Sequence, residues 1–456
     1  MAENDFIIVG AGPAGVRACE VLVAAGLRPV LIDEGTCGGG QIYRQQPEGF
    51  SRSYEKLYGT EAGKARDLHA TLTRLIPAID YRPGTLVWNI RGGRVHLHDG
   101  ARTSSLAHGA LIIASGATDR VFPLPGWTLP GVYTMGAAQI ALKAQACAIG
   151  NAVVLVGTGP LLYLVAYQYL RAGAAPRAVL DTARLGDKLA GLGGMLARPG
   201  VLMAGVGYVA ALKQAGVHME AGIVPLGFDG ADGVERVRYR TRGGDMREIA
   251  CDAVGYGFHL RAETQLADLA EVPFAYDTTL RQWLPQCDIE GRTPVPGVYL
   301  AGDGAQLAGA DGAEAMGRLA AYAALADAGR PVDARAVAVS RARNKVMRRF
   351  RDGIARAFPW PGQDLARQIA DSTLVCRCEA ITAGTLRETV RDRGAPEVNR
   401  AKALSRVGMG RCQGRYCGLA SAEIVAAVQQ TDTERAGRLR GQAPVKPLPA
   451  DLAVEP

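Results

Sequence analysis

Short apolar runs that end in glycine-rich turns recur along this chain. Residues 6–9 form an uninterrupted apolar run, small or apolar residues then recur at helical spacing from Ala14 to Ala25, and Gly26 follows. A second apolar run covers residues 29–32. A buried run followed by a helical pattern and another buried run predicts a strand–helix–strand unit with parallel strands. The hydrophobic pattern therefore predicts an α/β fold.

The turn after this first strand has the glycine spacing of a dinucleotide-binding motif. Gly10 permits a tight turn, Gly12 lets the backbone approach a pyrophosphate, and Gly15 lets the helix pack close to the sheet. An acid at the end of the second strand accepts hydrogen bonds from a ribose, while the helix N-terminus faces the diphosphate. The alternative is a glycine-rich turn in an ordinary α/β domain. The predicted cofactor-binding residues of this unit are Gly10, Gly12, Pro13, Ala14, Gly15, Asp33 and Glu34.

Three further stretches have the form of flavin-contacting segments. The Gly-Gly-Gln turn at residues 39–41 resembles the flavin loop of thioredoxin-reductase-like flavoproteins, and its alternative is a flexible loop. Buried strands at residues 110–113 and 298–301 each end in small residues. An aspartate behind the glycine that ends such a strand is the expected partner of a flavin's ribityl and phosphate region. The predicted cofactor-binding residues here are Gly40, Gln41, Arg44, Ala114, Ser115, Gly116, Gly302 and Asp303.

A second strand–turn–helix unit has Gly157 and Gly159 in its turn. Leu162 stands where the third glycine of the motif would be, which weakens the prediction of a tightly held nucleotide. Asp181 is the candidate ribose acid of this unit. The sequence leaves two alternatives open, a working site for NAD or another nucleotide and a vestigial site. Because this turn interrupts the uncharged run at residues 148–170, a membrane-spanning helix is not predicted.

Four of the nine cysteines lie in two close pairs near the C-terminus. Four thiolates in this arrangement can enclose either a tetrahedral zinc ion or a 2Fe–2S cluster, and the neighbouring flavin site favours iron. Helical patterns at residues 382–393 and from residue 424 predict a compact helical module. Glycines around the second pair let backbone N–H groups turn toward sulfur. The predicted metal ligands are Cys376, Cys378, Cys412 and Cys417.

The reach of the chain predicts how these ligands share two irons. Cys376 and Cys378 converge on one iron and Cys412 and Cys417 on the other, because the thirty-three residues between the pairs need a helix to return. A group of other cysteines is predicted to be buried small hydrophobes, namely Cys19, Cys147, Cys251 and Cys287.

These patterns together predict two Rossmann-like dinucleotide-binding domains of the pyridine-nucleotide-disulfide-reductase type, followed by a small helical module. The first domain is predicted to be discontinuous, because the strand near residue 298 returns to it. The predicted ranges are 1–120 with 290–330 for the FAD-binding domain, 121–289 for the second nucleotide-binding domain, 331–370 for a helical linker, 371–432 for the 2Fe–2S module and 433–456 for an extended tail.

Composition narrows the function further. The net charge of +8 over 456 residues is mild, and the basic cluster at residues 341–351 lacks the aromatic interleaving of a nucleic-acid module. We interpret that cluster as a solvated helix face or a docking surface, with no nucleic-acid partner. Cysteines without a preceding signal peptide indicate reduced thiols or metal ligands and predict a cytoplasmic location. Cys37 stands alone, which excludes disulfide-reductase chemistry, and no catalytic residue is identified.

The chain resembles the α-type subunits of heteromeric amine-oxidising flavoproteins. These include opine oxidases, D-hydroxyproline dehydrogenase, hydrogen cyanide synthase and the larger sarcosine oxidase. The resemblance covers nearly the whole chain and rests on the turns at residues 10–15, 39–44, 157–162 and 301–304 and on the four clustered cysteines. The closing pair, Cys-x4-Cys, departs from the Cys-x2-Cys of bacterioferritin-associated ferredoxin and is similar to the opine-oxidase branch.

The resemblance implies a function as well as a fold. It implies FAD in the first domain, a 2Fe–2S cluster on the four cysteines and FMN at a subunit interface. It also implies a β-type partner with its own FAD that oxidises the carbon–nitrogen bond, and a further partner in the form of a small γ subunit. The chain is then the electron-transfer subunit of an amine or amino-acid dehydrogenase or oxidase, acting on an opine or a D-hydroxyproline-like substrate. The alternatives are a self-contained NAD(P)H-dependent FAD reductase with a fused cluster and a zinc-bearing assembly module.

Overall fold

The structure, a computed structural model, describes residues 5–47, 49–50, 52–449 and 453–454. The amino-terminal part contains a strand–helix–strand unit, two further helices and an antiparallel meander. Its elements are β1 (Phe6–Val9), α1 (Pro13–Ala24), β2 (Val30–Ile32), α2 (Tyr54–Tyr58), α3 (Ala62–Leu75), β3 (Asp80–Arg82), β4 (Leu86–Arg91), β5 (Arg94–His98), β6 (Arg102–Ala107), β7 (Ala110–Ile113) and β8 (Ala117–Asp119).

The middle part repeats the strand–helix pattern around a second sheet. Its elements are β9 (Val132–Thr134), α4 (Met135–Ala144), β10 (Val153–Thr158), α5 (Pro160–Arg171), β11 (Ala178–Asp181), α6 (Leu185–Met195), α7 (Pro199–Gln214), β12 (His218–Ala221), β13 (Val224–Asp229), β14 (Arg236–Arg240), β15 (Met246–Ala250), β16 (Ala253–Phe258), β17 (Leu260–Ala262), α8 (Gln265–Leu269), β18 (Phe274–Asp277) and β19 (Gln282–Pro285).

The carboxy-terminal part returns to the first sheet and then forms a mainly helical module. Its elements are β20 (Val298–Leu300), α9 (Gly309–Asp327), α10 (Ala334–Ala357), α11 (Gly362–Gln368), β21 (Leu374–Cys376), β22 (Ile381–Thr382), α12 (Ala383–Arg391), α13 (Val398–Ser405), α14 (Gly418–Gln429), α15 (Thr433–Ala436) and β23 (Ala453–Val454). Single 3-10 turns lie at Gly59–Glu61, Ile76–Ala78 and Gly302–Gly304.

The first sheet has five parallel strands in the order β20–β7–β1–β2–β3. Every residue of β1 and β7 is buried, as expected of parallel strands that are covered on both faces. Because the strands are parallel, the stretches that follow β1, β2, β7 and β20 meet at one edge of the sheet. This edge carries the predicted flavin-contacting segments.

Helices α1 and α9 cover one face of this sheet and approach each other closely. A Cβ atom on Gly317 of α9 would lie 2.0 Å from the carbonyl oxygen of Ala14, so only glycine permits this crossing. The small residues of α1 therefore serve helix packing as well as the cofactor turn.

The second sheet is also five-stranded and parallel, in the order β12–β11–β10–β16–β9. The C-terminal module packs against this part of the chain, since its buried residues belong to the same hydrophobic core. Trp127 donates a 2.6 Å hydrogen bond from Nε1 to the carbonyl of Leu374, and Trp360 donates one of 2.7 Å to Glu423. These bonds hold the module in place.

The two parallel sheets and the helical module confirm the predicted α/β fold class. The helix predicted at residues 382–393 is α12, while the helix predicted from residue 424 begins earlier, at Gly418. The tail predicted to be extended begins with the short helix α15, and β23 adds to the edge of β6. The domain ranges remain predictions, and residues 1–4, 48, 51, 450–452 and 455–456 lie outside the described part. Within the described part, no helix is both long enough and apolar enough to span a bilayer.

Candidate functional site

The four predicted flavin-contacting stretches converge at the carboxyl edge of the first sheet. Each contact between them is so close that an added Cβ atom would lie 2.4 to 3.6 Å from the neighbouring stretch. These contacts join Gly10 to Ala114, Gly12 to Gly40, Gly302 to Ala14 and Gly304 to Ser115. The structure thus brings together residues that lie up to three hundred positions apart in the sequence, although their binding roles remain predictions.

The first helix is suited to an anionic group at its N-terminus. Gly12 occupies the N-cap position, no side chain caps the helix, and the first turn holds no acidic residue. The free N–H groups and the helix dipole therefore favour a diphosphate at this place. The guanidinium of Arg44 lies within electrostatic reach of Asp33, and its buried Nε has no acceptor among the described residues. An anionic ligand would supply one.

The two predicted ribose acids have different surroundings. Asp33 is turned into the site, where its carboxylate accepts hydrogen bonds from the backbone N–H groups of Ala11 and Gly35. Burial raises the pKa of Asp33, and these two bonds oppose that effect. Glu34 is turned outward and pairs with Lys446 of the C-terminal tail. Asp33 is therefore the better placed acid for a ribose.

Asp303 orients the start of α9. Its Oδ1 atom accepts hydrogen bonds from the backbone N–H groups of Ala308 (2.8 Å) and Gly309 (3.0 Å), and burial raises its pKa. In the loop opposite, Arg44 donates a 2.7 Å hydrogen bond to the amide oxygen of Gln41. The uncapped helix, the unpaired Arg44 Nε and the converging glycines fit an FAD molecule. That cofactor would supply hydride and single-electron chemistry when bound.

The acid of the second dinucleotide unit is fully engaged inside the protein. Asp181 is 1% exposed, and it accepts hydrogen bonds from the Thr158 hydroxyl (2.9 Å) and the Tyr163 hydroxyl (2.6 Å). The backbone N–H of Ala183 also donates to it, and Lys188 Nζ lies 2.9 Å away. No side of this carboxylate is directed to a ribose.

His259 lies over the turn of the second unit, and Phe358 holds it there. Nδ1 of His259 lies 3.0 Å from where a Cβ of Gly159 would be, so the imidazole rests on the turn. Its Nε2 donates a 2.7 Å hydrogen bond to the carbonyl of Phe358, and the Phe358 ring packs against Tyr163 at 6.4 Å. Burial lowers the pKa of His259 to about 4, so the ring is neutral. A neutral imidazole therefore lies directly beside Gly159.

The four predicted metal ligands meet in two pairs. Hydrogen bonds between thiols join Cys376 to Cys417 and Cys378 to Cys412. Among the described residues, no three His, Cys, Asp or Glu side chains converge as a single ion would require. A 2Fe–2S cluster takes two sulfurs on each of two irons, and four thiolates in two pairs fit that requirement. The contacts run across the sequence pairs, whereas the chain's reach predicts sharing within them, and that sharing remains a prediction.

Backbone N–H groups turn toward sulfur in this module, as the glycines predict. The hydrogen bond from Cys417 and those from the N–H groups of Gly408, Glu379 and Cys378 lower the pKa of Cys376 to about 6. A thiolate is the form that binds iron. All nine cysteines are free, and Cys19 and Cys251 are buried. The prediction of burial is wrong for Cys147, which is exposed because it lies in the loop after α4.

The sequence did not predict a connection between the module of the four cysteines and the carboxyl edge of the first sheet, where the predicted flavin-contacting stretches meet. Glu263 follows β17, and its carboxylate accepts a 3.0 Å hydrogen bond from Arg415, which lies between Cys412 and Cys417. Arg261 and Arg415 hold the pKa of Glu263 below its usual value even though burial would raise it. No motif marks Glu263, and only the folded chain brings it beside Arg415.

Comparison with known proteins agrees with this architecture. A domain of the pyridine-nucleotide-disulphide-oxidoreductase type, followed by a separate module with four clustered cysteines, defines a class of flavoprotein oxidoreductases with a fused 2Fe–2S domain. Residues 4–324 match the family described as "Pyridine nucleotide-disulphide oxidoreductase", and residues 374–427 match the "BFD-like [2Fe-2S] binding domain". These two matches imply FAD and a 2Fe–2S cluster as the cofactors.

The chain belongs to the family that contains the A-type subunit of opine oxidase and the HcnB subunit of hydrogen cyanide synthase. It is 36% identical to the opine oxidase protein of Agrobacterium tumefaciens (strain Ach5), covering 97% of this chain and 90% of the relative. It is 31% identical to HcnB of Pseudomonas aeruginosa, covering 97% of both chains. A solved L-proline dehydrogenase from P. horikoshii shares the fold, with a TM-score of 0.70 at 18% identity over 98% of this chain and 78% of that chain. The relatives' names indicate a subunit of a heteromeric enzyme.

Proposed function

We propose that this chain is the electron-transfer subunit of a heteromeric dehydrogenase or oxidase that acts on the CH–NH bond of an amine or amino acid, such as an opine. The carbon–nitrogen bond is oxidised in a β-type partner subunit with its own FAD. This chain takes up the electrons at its first dinucleotide site and passes them to the module of the four cysteines. FMN, where the complex contains it, lies at the boundary with the partner.

The observation that carries this proposal is the closure of the second dinucleotide turn. A pyridine nucleotide would need the acid after β11 for its ribose and the turn before α5 for its diphosphate. Asp181 is held by four donors of the chain, and His259, bonded to Phe358, lies over the turn. This arrangement supports a source of electrons other than NAD(P)H.

A self-contained NAD(P)H-dependent reductase is the second candidate, because part of the nucleotide motif is intact. Gly157 and Gly159 have φ angles of +145° and +108°, and no side chain caps α5. Addition of NADH or NADPH to the isolated chain under anaerobic conditions separates the candidates. We expect the flavin absorbance to persist with either nucleotide and to bleach with dithionite. Rapid bleaching by a nucleotide would establish the second candidate.

An exposed apolar surface supports the heteromeric part of the proposal. Helices α6 and α7 and the short turn between them carry large apolar side chains 38–65% exposed, namely Leu185, Leu189, Leu192, Leu196, Val201, Met203 and Val206. Residues 189–212 contain one charged side chain, Arg198, and it pairs with Asp311 inside the chain. Patches of this kind mark protein interfaces, and the core of an interface is depleted of charge.

The basic cluster at residues 341–351 supports partner binding less strongly. Arg341 pairs with Glu290, Arg343 with Asp311 and Arg351 with Asp352, so part of its charge is neutralised within the chain. We therefore place the partner's main contact on the exposed apolar side chains of α6 and α7, with the remaining cations of α10 beside α6. A cytoplasmic location and a small γ subunit remain predictions.

A further inference from the structure

Residues 261–265, from the end of β17 to the start of α8, connect the flavin edge, where the predicted flavin-contacting stretches meet, to the cysteine loop at residues 412–417. The Ser115 hydroxyl donates a 2.6 Å hydrogen bond to the carbonyl of Glu263, and the backbone N–H of Glu263 donates one of 2.9 Å to the carbonyl of Gly116. Gly304 packs on the same place, since its added Cβ would lie 2.5 Å from the Ser115 hydroxyl. Glu263 is thus fixed to the predicted flavin-contacting residues through its backbone.

The side chains of the same segment hold the cysteine loop. Arg415 Nε donates a 3.0 Å hydrogen bond to Glu263 Oε2, and both side chains are nearly buried, at 13% and 12% exposure. Two residues further on, Gln265 donates a 2.7 Å hydrogen bond to the carbonyl of Gln413. One short segment therefore bonds to both sites, with its backbone on one and its side chains on the other.

The charges of this segment face the cluster ligands. Arg261 lies 3.7 Å from Glu263 Oε2 and within electrostatic reach of Cys412 and Cys417. The carboxylate of Glu263 is thus placed between two guanidinium groups beside the cysteine loop. Because these side chains are weakly solvated, the loss of one of the three charges strongly changes the electrostatic potential at the cluster ligands.

We propose that Glu263 is a positioning residue for electron transfer, which fixes the cysteine loop against the Ser115–Gly116 turn and sets the potential of the cluster with its charge. The inference rests on the proposed function, because it requires FAD and a cluster in the same chain. Each transfer moves one electron, so that the flavin is oxidised by one electron and the cluster is reduced by one. No covalent bond is formed or broken.

Substitutions of Glu263 and Arg415 have opposite predicted effects on the reduction potential of the cluster. Reduction adds a negative charge, so nearby positive charge favours the reduced cluster. Glu263→Gln leaves Arg261 and Arg415 without their carboxylate and shifts the cluster potential upward. Arg415→Gln removes a positive charge and shifts the potential downward. A role that is only structural would not produce shifts of opposite sign.

The test uses the full-length chain with its cofactors and follows the cluster by EPR during a redox titration. FAD, iron and sulfide contents are measured for the wild type, Glu263→Gln, Arg415→Gln and the control Glu248→Gln, which removes an exposed acid from β15. We expect wild-type cofactor contents in all four proteins. The cluster potential should shift in opposite directions in Glu263→Gln and Arg415→Gln and should not shift in the control. Flavin-to-cluster electron transfer, measured after rapid photoreduction, should slow several-fold in Glu263→Gln.

Two outcomes separate this inference from the proposed function. Loaded proteins with equal potentials, or with shifts of the same sign, would overturn the positioning role alone. If Glu263→Gln lost its cluster, the cluster potential of Arg415→Gln would serve as the test. A downward shift would support the inference, and an upward shift or no shift would overturn it. A wild-type chain that holds neither FAD nor an iron–sulfur cluster would overturn the proposed function and this inference with it.

Discussion

The hydroxyl of Tyr163 donates a 2.6 Å hydrogen bond to Asp181, the acid that the sequence suggests for a ribose. Asp181→Asn removes the charge that Lys188 faces at 2.9 Å and weakens the bonds from Thr158 and Tyr163. We expect the free energy of unfolding to fall by about 2 kcal/mol, the usual cost of leaving buried polar groups poorly paired. Urea denaturation of the purified variant measures this change.

Asp232→Asn is the matched control, because that acid lies exposed in the loop after β13 and its loss should change stability by less than about 0.5 kcal/mol. Millimolar NAD⁺ should leave the melting temperature of the wild type unchanged, since only a bound ligand stabilises the folded state. An Asp181→Asn chain of normal stability, together with a wild type that NAD⁺ stabilises, would show that the second site is open.

Two glycines of the first turn separate cofactor binding from folding. A Cβ on Gly12 would meet only Gly40, at 3.6 Å, whereas one on Gly15 would lie 1.8 Å from the carbonyl oxygen of Gly10. Gly12→Ala should therefore fold normally but lose at least about tenfold in FAD affinity, or about 1.4 kcal/mol, because its methyl group obstructs the diphosphate. Gly15→Ala should lose about 3 kcal/mol of stability, the upper range for overpacking.

FAD titration by fluorescence and thermal melting of the FAD-free chain measure the two effects. Gly63→Ala is the control, because Gly63 lies on the exposed side of α3 with open space around it. That change should stabilise the chain by about 0.5–1 kcal/mol, since alanine favours a helix over glycine. Equal FAD affinity of Gly12→Ala and the wild type would contradict the placement of the diphosphate at this turn.

His259 predicts a pH dependence of stability. Burial lowers its pKa to about 4 in the folded chain from its ordinary 6.5. Between these values the unfolded chain binds a proton that the folded chain does not, so stability falls as the pH decreases from 6.5 to 4. The contribution of this residue reaches about 1.4 kcal/mol for each pH unit in that window.

Unfolding free energies of the wild type and His259→Asn, measured across this window, isolate the contribution. Asparagine tolerates the φ angle of +69° at this position and does not titrate. The variant should therefore show a flatter pH profile than the wild type between pH 6.5 and 4. Identical profiles for the wild type and His259→Asn would mean that the imidazole is solvated and the turn uncovered.

The cysteine module gives a spectroscopic prediction. Serine in place of Cys376, Cys378, Cys412 or Cys417 should abolish the cluster's visible absorbance and its EPR signal after reduction, because each thiolate is one of four ligands. FAD content should remain at the wild-type level, since the glycine turn after β1 belongs to the first sheet, whereas the cysteine module has its own strands, β21 and β22. Cys147→Ser, at an exposed cysteine, should leave both cofactors in place. A cluster that survived any one of the four changes would show that a ligand is misassigned.

The parts of the site that follow parallel strands could be predicted from the sequence. Apolar runs place β1, β7 and β20 in one sheet, and parallel strands end at one edge, so their glycine turns had to meet. The four cysteines could be predicted for a different reason, because close pairs of thiols are chemically distinctive wherever they lie.

The remaining features depend on contacts that no local pattern encodes. Glu263 and Arg415 are 152 positions apart, and His259 and Phe358 are 99 apart. The end of α10 brings Phe358 to His259, and the packing of the cysteine module brings Arg415 to Glu263. The sequence therefore left the state of the second nucleotide site open, while the folded chain surrounds Asp181 with its own donors.

The exposed apolar side chains of α6 and α7 give the prediction that tests the heteromeric assembly. Their burial against a partner subunit would remove a large apolar area from water. Leu189→Asp and Met203→Asp place charges on side chains that are 62% and 65% exposed, so the fold of this chain should be unaffected. The charges would be desolvated in a complex, and we expect at least about a hundredfold weaker binding, or about 2.8 kcal/mol.

The assembly is measured by gel filtration after co-expression with the flavoprotein encoded by the neighbouring gene. Met246→Asp on β15 is the matched control at 64% exposure, and it should leave the complex intact. Complexes that form equally well with Leu189→Asp and the wild type would place the partner on another face, because a buried, unpaired aspartate cannot be tolerated at the centre of an apolar interface.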